Sequence, residues 1–152
     1  MSNQPTRRGT PDFEVDLRRG QLGENYLMTL LTGARDGTVG VEVKSDHYSH
    51  ESGAIFIEYA QRPRGMDHFV PSGLATTDAA VFAVLVADPN GGPPLASLLF
   101  PTDGLRAALP TLRQVGREVT GGGHGDNPTR GVVVGLDVLV RTLGSLAVGR
   151  AA

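Results

Sequence analysis

Glu42, Lys44 and Asp46 stand two residues apart in Val39-Gly40-Val41-Glu42-Val43-Lys44-Ser45-Asp46, where apolar and polar residues alternate. Alternation at period two marks a half-buried strand. It puts residues 42, 44 and 46 on one face and Val41 and Val43 on the other, which is expected to meet the core. Two acids flanking an amine on one face can do chemistry on a phosphate. Carboxylates suit Mg2+ or Mn2+, which are commonly held by one or two carboxylates together with waters and substrate phosphate. Such an ion can activate water and neutralise phosphate charge. An amine beside it can orient or deprotonate that water, or stabilise the transition state. A solvated ladder of mixed charges on an exposed strand has the same spacing, so the triplet alone does not decide.

The lysine carries a second mark. The 152 residues hold 14 basic side chains, and Lys44 is the one lysine among them. An ammonium is compact, reaches a single oxygen or water, and shifts its pKa readily when buried, none of which a guanidinium does well. Chance retention of one surface lysine would leave the same count.

Elements on either side must position this strand. From Gln21, Leu22, Tyr26, Leu27, Leu30 and Leu31 recur at three- and four-residue spacing, which predicts an amphipathic helix stopping at Gly33. After a polar loop, His47 to Ser52, residues Gly53 to Tyr59 read as a second strand. The short connection predicts an antiparallel hairpin with the first. With Glu42 opposite Glu58, that acid joins the charged face; a one-residue slip removes it.

Gln61 to Pro71 reads as a loop carrying Arg62 and Arg64, candidates for phosphate contacts or simply solvated charges. Ser72 to Asp78 predicts a turn and a short capped helix, whose free amides near Thr76 could hold a phosphate. Strands are expected at Val81 to Val86, Leu95 to Phe100 and Val132 to Val134. Helices are expected at Leu105 to Val119, with Leu105, Leu109, Leu112 and Val115 inward and Pro110 at a break or kink, and at Asp137 to Leu146. Gly121 to Pro128 matches no phosphate-binding fingerprint and reads as a flexible loop. His47 and His50 read as hydrophilic loop residues, and His68 and His124 lack partners at ligand spacing.

The length suits one domain with one core. Residues 1–12 are expected to form a disordered tail, leaving 13–152 as an α/β domain with a mixed central sheet flanked by helices. The net charge of −2 argues against a protein that coats nucleic acid, though a local basic rim would serve a nuclease. The chain has no cysteine, which excludes disulfides, zinc–thiolate sites and thiol nucleophiles. No G-x-S-x-G elbow supports serine hydrolase chemistry. No apolar run reaches a membrane span and the first ten residues hold no signal-peptide core, so a cytoplasmic protein without membrane contact is expected.

The order of these features resembles the PD-(D/E)XK nuclease superfamily, in particular small phage and prophage members of Holliday-junction-resolvase-like type. The resemblance runs from about Asp12 to Leu139. It rests on Gly23-Glu24, Val41 to Asp46, Ser52 to Tyr59, Ser72 to Ala79, and Asn127-Pro128 before Gly131 to Val134. It implies a restriction-endonuclease-like core and Mg2+- or Mn2+-dependent cleavage of DNA. Glu42 and Lys44 would be the acid and lysine of the E-x-K motif, and Glu24 the acid of the first helix. The family's earlier aspartate has no clear equivalent, and its role falls to Asp36, Asp46 or Glu58. A junction-cutting member needs two active sites, hence a homodimer, but no apolar surface stripe marks one. Two other readings stay open: a catalytically inactive nuclease-fold protein that binds DNA or a protein partner, and an unrelated α/β interaction domain.

Overall fold

The leucine-rich stretch forms one long helix, α1, over Phe13–Arg35 of this computed structural model, starting earlier than the sequence pattern predicts. The structure describes residues 13–121 and 127–149; the tail expected over 1–12, most of the glycine-rich loop including His124, and the last three residues lie outside these. Gly33 does not stop α1. The helix ends at Arg35, two residues before Gly37, whose φ of 72° is the left-handed conformation a terminating glycine supplies, and the amides of Thr38 and Val39 donate to the Gly33 carbonyl. Leu22, Tyr26, Leu27 and Leu31 on this helix are exposed.

The chain divides into two compact units, one ending at Val39 and one beginning at Gly40. The second unit contains β1 (Val41–Asp46), α2 (Ser49–Ser52), β2 (Ala54–Gln61), β3 (Val70–Pro71), a 3-10 turn (Gly73–Ala75), β4 (Val81–Val86), β5 (Ala96–Pro101), α3 (Thr102–Val115), β6 (Arg117–Gly121), β7 (Thr129–Gly135) and α4 (Leu136–Gly149). The fold is mixed α/β. No helix among the described residues is long and apolar enough to cross a membrane.

The strands form two sheets, ordered β1-β4-β5 and β3-β2-β7-β6. The hairpin expected between β1 and β2 is not formed. β1 runs parallel to β4, with Glu42 beside Phe82 and Lys44 beside Val84, while β2 pairs antiparallel with β7, with Glu58 beside Gly131. The turn after β1 is spent on α2 instead of returning the chain along β1. The first sheet is mixed, because β5 runs antiparallel to β4.

The core gathers Ile55 and Ile57 of β2, Phe82 and Val84 of β4, Leu105 and Leu112 of α3, Val132 and Val134 of β7, and Leu139 of α4. Residues paired in a ladder point to the same face, so Glu42 and Lys44 share the face of Phe82 and Val84. The polarity of β1 is therefore the reverse of the expectation. Val41 and Val43 are exposed, at 37% and 53%, and the charged face is half-buried. Leu105 and Leu112 are fully buried as expected, but Val115 is 55% exposed at the end of α3, and the residues that follow form β6 rather than helix. Pro110 stays inside α3 on its exposed side.

Candidate active site

Lys44 meets Glu42 with Nζ 2.8 Å from Oε1, and both side chains are about one-third exposed. Strand periodicity sets this contact, since the two residues stand on one face with a single residue between them. The pair is open to solvent yet seated beside the apolar Phe82 and Val84, a setting where an ammonium and a carboxylate interact more strongly than in free water.

Asp46, third on that face, is committed to the backbone. Its Oδ1 accepts the amides of Tyr48 and Ser49, both at 2.9 Å, and its Oδ2 accepts the amide of Phe56 at 3.1 Å. The first two bonds satisfy amides at the start of α2, a capping role that short acidic side chains fill readily. The third ties the end of β1 to β2. With both oxygens engaged by amides, Asp46 connects β1 to α2 and β2.

Glu58 stands on β2, in the other sheet. Its Oε1 accepts the hydroxyl of the buried Ser72 at 2.6 Å. Gly73 makes the approach possible: at φ 54°, a Cβ there would stand 2.7 Å from the Glu58 carbonyl oxygen. Among the remaining acids, Asp36 in the N-terminal unit pairs with Arg35 at 2.9 Å, and Glu24 is an exposed residue of α1 in the same unit.

Among the described residues no group of three His, Asp or Glu side chains could hold a metal ion. One carboxylate, Glu42, has a displaceable partner.

The amides expected to be free near Thr76 are not. Gly73–Ala75 forms a 3-10 turn rather than a helix start, and the N–H groups of Thr76 and Thr77 both donate to the Gly73 carbonyl at 3.1 Å. Arg106 of α3 fastens this segment through the carbonyls of Leu74 and Thr77. His50 lies in α2 with a buried Nδ1 that has no hydrogen-bond partner among the described residues, and His68 pairs with Asp67.

The basic loop lies against the second sheet. The Arg62 amide donates to Pro128 at 2.8 Å, and the Arg62 guanidinium stands over Phe69, 5.7 Å from the ring centroid. Arg64, two residues on, is exposed. Arg130 of β7 stacks over the same ring at 4.1 Å. The sequence reading missed Arg130 and Phe69, though a signal existed: Arg130, Val132 and Val134 share a strand face, an odd register for an arginine.

A second missed cluster joins two strands, β2 and β6, to helix α3. The Tyr59 hydroxyl donates to Glu118 Oε1 at 2.8 Å, Arg113 stacks over the Tyr59 ring at 4.8 Å, and Arg113 also pairs with Glu118. Burial, then the bond to Glu118, pushes the Tyr59 phenol above its ordinary range. The Tyr59 hydroxyl and then Arg113 hold Glu118 below the usual carboxylate range. No protein-family profile, curated protein or solved structure matches this chain.

Proposed function

We propose that the chain is a metal-dependent DNA nuclease whose chemistry centres on Glu42 and Lys44. The supporting observation is their 2.8 Å contact on one half-buried strand face, open to solvent on a strand that follows a long helix. In this reading a water attacks phosphorus as the leaving P–O bond breaks, the water's proton passing to solvent and the departing alkoxide taking a proton from solvent. The Glu42 carboxylate accepts a hydrogen bond from the water and orients it. The Lys44 ammonium donates to a non-bridging phosphate oxygen and stabilises the charge that grows there. Substrate must open the Glu42–Lys44 pair to use both groups. Mg2+ or Mn2+, when bound, would be held by Glu42 with waters and substrate oxygens, and would lower the pKa of the water. A restriction-endonuclease-like core, action on DNA in the cytoplasm and, for a junction substrate, a homodimer belong to the same proposal.

One observation favours a second reading. Asp46 spends both oxygens on amides, and no converging acid group exists among the described residues, as suits a catalytically inactive relative of nucleases that binds DNA or a protein partner. Labelled single-stranded, duplex and four-way-junction DNA, each incubated with Mg2+, Mn2+ or EDTA, separates the two. Cutting that requires the ion supports the nuclease. Retention of DNA without any cutting supports the binder.

A further inference from the structure

The β7 face that sends Val132 and Val134 into the core ends in Arg130, which is only partly exposed. Its guanidinium stacks over Phe69 at 4.1 Å, and that of Arg62, from the loop after β2, stands over the same ring at 5.7 Å. The ring's negative face attracts each cation. The cations repel each other, and among the described residues neither has a carboxylate at ion-pair distance. Glu118, close enough to Arg130 to feel its charge, is already held by Arg113 and the Tyr59 hydroxyl. Nor does either guanidinium donate a hydrogen bond among the described residues. Two planar forks on one ring, their donors unused among the described residues, match the oxygens of phosphate diesters.

We propose that Arg62 and Arg130, ordered on Phe69, bind the phosphodiester backbone of a nucleic acid. This rests on the nucleic-acid reading above and names its anchor, apart from Glu42 and Lys44. An anion here relieves the repulsion between the two cations, and a polyanion engages both at once.

Anisotropy of a labelled oligonucleotide, titrated with each protein over a range of salt, tests this, with inorganic phosphate as competitor. The Arg62→Gln/Arg130→Gln variant is expected to bind at least about fivefold more weakly, and its salt dependence to flatten by about one unit of slope per lost phosphate contact. Arg62→Lys/Arg130→Lys is expected to recover the salt slope, because charge is restored, but only part of the affinity, because the planar fork is lost. Inorganic phosphate at concentrations matching the oligonucleotide's phosphate content is expected to compete poorly; equal competition points to a site for the free ion and overturns the backbone assignment. Unchanged affinity and slope in the glutamine variant overturn the proposal, as does a variant that lowers the melting temperature while binding normally. Cleavage is read separately in the same samples. DNA cut normally by the glutamine variant, with unaltered binding, leaves the nuclease standing and removes this site. Arginine-dependent binding without cleavage does the opposite.

Discussion

Asp46 Oδ2 accepts the backbone amide of Phe56 at 3.1 Å, although Asp46 ends β1 in one sheet and Phe56 lies on β2 in the other. With the Tyr48 and Ser49 amides on Oδ1, one side chain satisfies three backbone donors where the chain passes from sheet to sheet. Asp46→Ala is therefore expected to destabilise the protein by about 0.5–2 kcal/mol, the range for losing a capping side chain. A carboxylate serving only as a metal ligand would behave otherwise, since its removal without metal relieves repulsion with Glu42. Urea denaturation of both proteins in EDTA reads the difference.

Tyr59 and Glu118 form a contact with a defined pH window. The Glu118 carboxyl is lowered, so its contribution is complete above the unfolded value, about 4.3, and is lost as pH falls through the lower folded value. The Tyr59 phenol is raised, so its contribution is complete below about 10 and is lost as pH climbs through the higher folded value. Relative to wild type, Tyr59→Phe should lower the melting temperature at neutral pH, and the gap should narrow at both extremes. A gap that stays constant across pH would assign the loss to packing alone.

Helix α3 separates buried from exposed positions sharply. Leu112 is fully buried in the core and Val115 is 55% exposed. Leu112→Ala is expected to cost about 2–5 kcal/mol, as large-to-small changes in packed cores do. Val115→Ala should cost less than about 0.5 kcal/mol, typical of surface changes. Denaturant midpoints measure both, and equal losses would return Val115 to the interior.

What the sequence reveals here follows the range of the interaction. The Val41–Lys44 alternation is local and marks β1 correctly, and Leu105, Leu109 and Leu112 mark the inward side of α3. Pairing is not local. The partner of β1 is β4, some forty residues on, and that of β2 is β7, further still. A short loop suggests a hairpin, but Asp46 turns that loop into the start of α2. The choice of Val41 and Val43 as the inward face failed for a related reason: the face of β1 is set by its neighbour β4, whose inward residues are Phe82 and Val84. The Glu42–Lys44 pair was legible because one strand makes it. The stacking of Arg62 and Arg130 on Phe69 was not, because it joins the loop after β2 to β7, some sixty residues further along the chain.

The central claim rests on Lys44. Its most direct test is the cleavage rate of DNA in Mg2+ by the wild type and by Lys44→Ala, with folding checked by thermal melting. The expected result is metal-dependent cutting by the wild type that falls by about a hundredfold or more in the variant, in line with the loss of one preorganised donor to developing charge, while melting stays within a few degrees. Cutting by a folded Lys44→Ala protein at the wild-type rate would contradict the account.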